Sequence, residues 1–283
     1  MRPIVGALAA VCLLAGCASS ADQVTLPPRD IDRWVLPLDR FMDSDDISAN
    51  YAETLLMGPC MNAAGFDWDV PYRDPYAANR ATSSAVGIRI FTLEIAQEYG
   101  YHSAPNLDPG AAAWKAWAYR EITLAEIDAI RECTEQVRAE RLPLLPGSAQ
   151  LGNSLAAAAY DAAEQEQTVQ EAERAWRDCM APLGIPDLPA SARDMPSPWL
   201  ANELGYTGTL GEPTADEIRY AVADAICRDD SGYLETFYDV LWQKQAALVG
   251  DNADALLRIE GMVTEHREKV AQIISENAPP APE

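Results

Sequence analysis

The sequence predicts an all-α protein, and three observations support this prediction. Alanine is abundant along the chain, which favours helices and close helix packing. Seven tryptophans and eleven tyrosines supply large surfaces that a core can bury. No convincing run of alternating apolar and polar residues occurs, and the nearest candidate, Val86 to Thr92, is short and isolated.

Residues 1–16 are predicted to be a cleavable export signal. Arg2 gives a positive start and Ile4 to Leu14 form an apolar run. A helix of that length reaches roughly 17 Å, which is too short for a hydrocarbon core of roughly 30 Å. The ending Leu14-Ala15-Gly16-Cys17 resembles the lipobox of bacterial lipoproteins. That resemblance implies cleavage before Cys17 and a thioether-linked diacylglycerol on Cys17.

The predicted mature chain is strongly acidic and is expected on the extracytoplasmic face of a cell membrane. The full sequence has a formal net charge of −23, and the loss of Arg2 with the signal makes the mature chain more negative still. This charge should repel nucleic acid and anionic phospholipid, so no nucleic-acid partner is expected. The membrane partner is therefore reached through the lipid on Cys17, for which two acyl chains suffice. Small polar residues, Pro27-Pro28 and acidic residues predict a tether over residues 17–45, and a proline-rich end predicts a disordered tail over 276–283.

Between these ends, residues 46–275 are predicted to form one helical domain with an internal duplication. Four markers occur twice in the same order: a Cys-Met pair, a glycine five residues after that cysteine, a Gly-Tyr pair, and a Thr-x-x-Glu-Ile motif ahead of a second cysteine. The first copy covers about 46–145 and has the longer loops, and the second covers about 148–230. Coincidence in a helix-rich chain is the alternative explanation.

Each marker also predicts a local structure. Gly65 and Gly184 are expected in the left-handed conformation just beyond a helix end. Thr-x-x-Glu is typical of a capping box, in which the threonine hydroxyl and the glutamate carboxylate both accept from free backbone N–H groups. The helices that follow should span about 124–141 and 215–228. Their predicted inward residues are Ile127, Ile130, Val137, Ile218, Val222 and Ile226.

Two longer amphipathic helices are predicted around these elements. The first spans about 148–183, with apolar residues at intervals of seven. Those residues are Leu155, Ala162, Val169, Trp176 and Leu183. The second spans about 233–275, and Gly250-Asp251 offers the alternative of a break into two helices.

Several of these motifs together resemble a group of uncharacterised actinobacterial surface lipoproteins. They are Cys-Met-x-x-x-Gly-Phe-x-Trp starting at Cys60, Tyr-Gly-Tyr-His over 99–102, and Ala-x-Ala-Ile-Cys over 223–227 ahead of a long terminal helix. The likeness covers most of residues 50–275, although Ile185 stands where an aromatic residue is usual. The resemblance implies an envelope location and a helical fold with paired cysteines, and it adds no chemistry.

The duplication makes a prediction about cysteine pairing that composition alone cannot make. Four cysteines beyond Cys17 permit three connectivities. If each copy closes on itself, Cys60 pairs with Cys133 and Cys179 pairs with Cys227. Four buried free thiols are the alternative, which an export signal disfavours.

Motifs for catalysis or metal binding are weak. With two histidines and no closely spaced cysteines, the sequence predicts no metal site and no cofactor. No Gly-x-Ser-x-Gly motif occurs, and no catalytic residue is assigned. His102 is interpreted as a helix-capping residue and His266 as a packed residue of the last helix. Among 44 acidic residues, any chosen carboxylate pair is uninformative.

One loop has the composition of a ligand site. Trp68, Tyr72, Arg73 and Tyr76 combine aromatic faces with a cation and could bind a sugar or a peptide. The alternative is that Trp68 and its neighbour Phe66 pack into the core after the glycine turn. The tryptophans at 114 and 117 are likewise expected in the core.

Three classes of function stay open at this point. An interaction or structural module of the cell envelope, with an envelope protein or glycan as partner, is favoured because an anchor and helices are predicted and catalytic patterns are weak. A lipoprotein that binds a glycan or peptide is the alternative and requires a concave aromatic pocket near Trp68 and Tyr72. A hydrolase of envelope polymers would require two carboxylates that converge in a cleft.

Overall fold

The computed structural model describes residues 24–42, 46–77, 82–84, 86–105, 107–208 and 211–282. Within these ranges the regular elements are helices, and the only β pairing is two isolated bridges. The all-α prediction is therefore confirmed. The helices are α1 (Asp46–Leu56), α2 (Gly58–Ala63), α3 (Leu93–Tyr99), α4 (Ala111–Ala118), α5 (Leu124–Glu140), α6 (Leu151–Glu164), α7 (Gln167–Met180), α8 (Pro198–Leu204), α9 (Ala215–Asp230), α10 (Tyr233–Asp251) and α11 (Ala253–Asn277).

The apolar residues form two main cores. A large core lies among α3, α6, α7, α9 and α10, with Trp176 and Leu241 fully buried. A small core lies among α1, α2, α5 and the last turns of α11, with Tyr51 and Met61 fully buried. Two minor clusters, around Leu256 and around the Ile259–Val263 stretch, lie along α11 between them. Helix α11 therefore contributes to the small core and to both minor clusters.

The cysteine pairing follows the predicted connectivity. Cys60 and Cys133 join α2 to α5, and Cys179 and Cys227 join α7 to α9. Cys133 belongs to the small core and Cys227 to the large core, so each core has its own covalent link. Disulfides persist in oxidising compartments, so the two bonds indicate that this domain folds outside the cytoplasm.

The repeated markers also share their local geometry. Gly65 and Gly184 have φ of 89° and 69°, the left-handed values expected beyond a helix end. The hydroxyls of Thr123 and Thr214 accept from the backbone N–H three residues later, which is the first half of a capping box. These shared features support the duplication.

The second half of each capping box is replaced by a tertiary contact. The Glu126 carboxylate accepts from the Arg120 guanidinium at 2.6 Å. The Glu217 carboxylate accepts from the backbone N–H of Tyr101 at 2.7 Å. Each glutamate therefore connects its helix to a preceding segment.

The first predicted long helix is divided in two, so that prediction is wrong. Helix α6 ends at Glu164 and α7 begins at Gln167, because Glu166 has extended backbone angles (φ −69°, ψ 134°). Both helices pack against α10. The buried positions of α6 are small residues, Gly152, Ala159 and Ala163, and the predicted Leu155 and Ala162 are half-buried.

The second predicted long helix is also divided in two. It breaks beside Gly250-Asp251, which is the alternative that the sequence offered. Asn252 lies between α10 and α11, and both its backbone N–H and its side-chain amide donate to the carbonyl of Leu248. Helix α10 packs against α6, α7 and α9, whereas α11 packs against α1 and α6. The break lets the two helices contribute to different cores.

The structure also corrects the extent of the tether. Residues 24–42 lie on the helical body, where Leu36, Leu38 and Phe41 are at most 1% exposed. The backbone N–H of Leu38 donates to the buried side chain of Gln245 in α10. Apolar residues between the polar ones bury enough surface to hold this segment. Residues 1–23 and 43–45, with Cys17 among them, lie outside the described residues.

Helices α5 and α9 begin where predicted, but their inward faces differ from the prediction. Ile127 and Ile226 are each 42% exposed. The buried residues of α5 are Ala129, Cys133 and Val137. Those of α9 are Glu217, Ala221, Asp224, Ala225, Cys227 and Arg228. Half of the buried set of α9 is charged, which an apolar pattern cannot predict.

Candidate functional site

Trp68 of the predicted ligand loop is buried, as the alternative interpretation expected. Its side chain is 7% exposed, and its indole N–H donates to the carbonyl of Thr54 at 3.0 Å. The ring of Trp117 packs edge-on against it with centroids 5.0 Å apart, and the guanidinium of Arg120 lies 5.0 Å from its centroid. Trp68 therefore stabilises the small core and offers no free aromatic face to a ligand.

The other residues of the loop are less enclosed. Tyr72 and Arg73 are half-buried, and Tyr76 is 45% exposed. The Arg73 guanidinium lies 4.8 Å from the centroid of Trp114, a half-buried residue packed against the small core. A ligand role for this loop stays a prediction that would depend on Tyr72, Arg73 and Tyr76.

The two histidines lie in different surroundings. His102 is buried beyond the end of α3, and its Nδ1 lies 2.8 Å from Oε1 of Glu217. Its backbone N–H donates to the carbonyl of Tyr99, as expected for a residue at a helix end. His266 is half-buried on α11 and lines a cavity of about 180 Å³ that Glu53 and Arg138 also line. Those two residues form a bidentate ion pair at 2.6 and 3.0 Å.

A larger cavity, of about 330 Å³, lies at the edge of the large core and is lined by three arginines. We call it the arginine cavity. Arg89 comes from the segment before α3, Arg193 from the 3₁₀ turn Ala192–Asp194 between α7 and α8, and Arg228 from the last turn of α9. The remaining lining residues are apolar or aromatic: Ile88, Phe91, Tyr160 and Met195.

Arg228 is fully engaged with the protein. Its guanidinium makes two hydrogen bonds of 2.8 Å to the carboxylate of Asp224 and another to the carbonyl of Ala192. Burial disfavours the charged form of Arg228, but the carboxylate of Asp224 outweighs it, and the pKa of Arg228 is raised. Asp224 is itself completely buried and also accepts from the indole N–H of Trp176 at 2.9 Å.

Arg193 lies at the rim of the cavity. Its side chain is 41% exposed and forms an ion pair with Glu164 at the end of α6. Its guanidinium lies 4.0 Å from the ring centroid of Tyr160, within the range of a cation–π contact. Burial raises the pKa of the Tyr160 hydroxyl, so this residue stays neutral at physiological pH.

Arg89 differs from the other two because no carboxylate among the described residues forms an ion pair with it. One terminal nitrogen donates to the carbonyl of Tyr101 at 2.6 Å, while its Nε is buried without an acceptor. Burial lowers the pKa of Arg89, and the charge of Arg228 acts in the same direction. In sequence, residues 78–81 and 85, which lie closest to Arg89 outside the described ranges, contain no aspartate or glutamate.

This arrangement suits the binding of an anion. Three guanidinium groups line one cavity, and only two of them have carboxylate partners. Arginine presents several donors in a planar fork that matches carboxylate and phosphate groups. By contrast, the described part of the chain has no group of three or more histidine, cysteine, aspartate or glutamate residues placed to hold a metal ion.

The sequence analysis did not single out any residue of the arginine cavity. Its three arginines come from segments more than 30 residues apart, and each stands alone in its local pattern. One sequence feature could have indicated that Arg228 lies near the large core. Arg228 directly follows Cys227, and the predicted disulfide from Cys227 to Cys179 holds that end of the helix against a neighbouring helix. Sequence alone does not show what else lies there.

Comparison with known proteins does not add a relative to this description. No known protein family matches the chain, and neither any curated protein nor any solved structure is significantly similar to it. Among the described residues, no helix has the length and apolar character needed to cross a membrane.

Proposed function

We propose that this protein is a lipid-anchored module on the extracytoplasmic face of a cell membrane, where it acts in interaction or as a structural part of the envelope. The observation that carries this proposal is the pair of disulfides, one in each core, because structural disulfides are typical of oxidising compartments and rare in the cytosol. The export signal, the lipobox-like ending at Cys17 and the resemblance to actinobacterial surface lipoproteins support the same location.

The two most deeply buried carboxylates have structural roles. Glu217 and Asp224 are at most 1% exposed, and both accept hydrogen bonds from donors of the protein itself. Carboxylates held in this way stabilise the contact between α9 and its neighbours and do not face a cleft.

A ligand-binding lipoprotein is the second candidate, and the arginine cavity favours it. Its volume of about 330 Å³ falls at the small end of the range for ligand pockets. The aromatic loop proposed from the sequence has lost Trp68 to the core, so the cavity is the better-supported binding site in the described part of the chain.

The lipid anchor is tested by replacing Cys17 with alanine in a bacterial host. We expect the wild-type protein to be recovered in the detergent phase on phase partitioning, with lipidated Cys17 as its first residue by mass spectrometry. The Cys17→Ala variant should accumulate as precursor or leave the membrane. Cys12→Ala is the matched control, since Cys12 lies inside the predicted signal and should change neither result. Processed, membrane-bound Cys17→Ala protein would contradict the proposal.

A further inference from the structure

We propose that the arginine cavity binds a small organic anion whose carboxylate or phosphoryl group pairs with Arg89. This inference deepens the second candidate function and does not depend on the lipid anchor. It rests on the balance of charge in the cavity, on the geometry of its donors and on the apolar remainder of its lining.

One of the three positive charges that line the cavity has no carboxylate ion-pair partner among the described residues. Asp224 pairs with Arg228 and Glu164 pairs with Arg193, whereas Arg89 has no carboxylate ion-pair partner among the described residues and hydrogen-bonds the carbonyl of Tyr101 and the hydroxyl of Tyr206. A partly buried cation without a counterion is destabilised by the loss of its hydration. This cost stands out in a chain with a formal net charge of −23, where acidic residues outnumber basic ones two to one. An anion in the cavity would remove it.

The donors of Arg89 and Arg228 lie around one aromatic ring. The guanidinium carbon of Arg89 is 5.5 Å from the ring centroid of Phe91, and that of Arg228 is 4.3 Å from the same centroid. Two like charges held on one ring repel each other, in agreement with the lowering of the Arg89 pKa by Arg228. The Nε of Arg89 is buried without an acceptor, so the protein itself does not fill the hydrogen-bonding capacity of this guanidinium.

The rest of the lining determines what the anion carries. Ile88, Phe91, Tyr160 and Met195 form an apolar and aromatic wall beside the arginines. A bare inorganic ion would leave this wall in contact with water, whereas a ligand with an aromatic or aliphatic group would cover it. The volume limits the ligand to a small molecule, and the exposed Arg193 lies at the entrance.

The test uses the full-length protein purified in detergent and three probes of similar size: benzoate, phenyl phosphate and neutral benzyl alcohol. Binding is measured by isothermal titration calorimetry at constant ionic strength. We expect benzoate or phenyl phosphate to bind at least about tenfold more tightly than benzyl alcohol, and comparison of the two anions shows whether the site prefers a carboxylate or a phosphoryl group. Equal binding of all three probes, or no binding of either anion at about 10 mM, would overturn the proposal.

The Arg89→Gln variant tests the assignment of the pairing residue. It should weaken binding of the preferred anion by about tenfold or more, because it removes the unpaired guanidinium. Arg219→Gln is the matched control, since Arg219 is 59% exposed and pairs with Asp216 on the outer face of α9. Its affinity should equal that of the wild type. Equal affinities of all three proteins would refute the role of Arg89.

A second variant keeps the test decisive if Arg89→Gln does not fold, as judged by circular dichroism. Arg193→Gln changes a 41% exposed residue at the rim and should leave the fold intact. It lowers the positive potential of the cavity, so the affinity for the anion should fall by about threefold or more. An unchanged affinity in Arg193→Gln would then count against the site.

Discussion

At the scale of single residues, Asp39 shows how burial changes the chemistry of a side chain. Its Oδ2 accepts from the backbone N–H of Leu36 at 2.8 Å, while its Oδ1 is buried without a donor. Burial raises the pKa of Asp39 from its ordinary 3.8 to about 6, and the hydrogen bond from Leu36 offsets only part of that effect. The carboxyl therefore holds its proton more tightly in the folded protein than in the unfolded chain.

This shift predicts a specific pH dependence for Asp39→Asn. The contribution of Asp39 to stability is fully present below about pH 4 and is lost as the pH rises through about 6. The asparagine keeps an acceptor for Leu36 and does not ionise. The free energy of unfolding of the variant, relative to wild type, should therefore increase by up to about 2 to 3 kcal/mol between pH 4 and pH 7.

Urea denaturation at a series of pH values measures this difference. Asp161→Asn, a change on the exposed side of α6, is the control and should give a difference from wild type that does not vary with pH in this way. A flat difference for Asp39→Asn would show that the Asp39 carboxyl is solvated in solution.

At the scale of elements, the close approach of the N-terminal segment to α6 depends on one glycine. A Cβ atom at Gly152 would lie 2.2 Å from the carbonyl oxygen of Phe41, a contact with backbone that cannot rotate away. Phe41 is fully buried, and the neighbouring Leu38 is anchored to Gln245 of α10. Residues 36–42 are thus an integral layer of the helical body.

Gly152→Ala should separate this segment from α6. We expect a loss of roughly 1–3 kcal/mol in the free energy of unfolding, and faster amide exchange at Leu38. Gly261→Ala is the matched control, because Gly261 is helical in α11 and a Cβ atom there would meet no other group within 4 Å. It should stabilise the protein by roughly 0.5–1 kcal/mol. Unchanged stability of Gly152→Ala would mean that residues 36–42 do not pack against α6 in solution.

At the scale of the whole molecule, each of the two main cores has one disulfide. The disulfides close segments with sequence separations of 73 and 48 residues. In the chain-entropy account, each bond contributes roughly 4 kcal/mol by restricting the unfolded chain. The difference in loop length changes this by only about 0.4 kcal/mol, since the entropy depends on the logarithm of length.

The two disulfides should therefore make similar contributions to the free energy of unfolding. The double variants Cys60→Ala/Cys133→Ala and Cys179→Ala/Cys227→Ala are each expected to lose roughly 2–5 kcal/mol in the free energy of unfolding, measured by urea denaturation. Each variant also serves as the control for the other. A loss below about 1 kcal/mol in either one would indicate that the native fold strains that disulfide.

Much of the fold could be predicted because it depends on neighbouring residues. The start of α5 after Thr123, the start of α9 after Thr214 and the glycine turns at 65 and 184 follow from local hydrogen bonding and steric limits. The disulfide connectivity followed from the order of repeated markers. The break between α6 and α7 was missed because the apolar repeat continues through it. The spacing of apolar residues does not show whether the helix axis changes direction.

The candidate site could not be predicted in the same way. The aromatic loop looked accessible in sequence, yet Trp68 packs against Trp117 and Arg120 of a later segment. The arginine cavity combines residues from the segment before α3, the turn after α7 and the end of α9. No local pattern marks Arg89 as the cation without a carboxylate, because that property depends on which side chains surround it.

By itself, the sequence determined the helical class of this protein, the boundaries of its capped helices and the pairing of its cysteines. These features depend on interactions between residues a few positions apart, or on a repeated order of motifs. Only the tertiary structure decided that α9 turns Glu217, Asp224 and Arg228 inward, that residues 24–42 join the body, and that three arginines share one cavity. Burial and electrostatic pairing depend on distances between remote segments, and those distances exist only once the helices have packed.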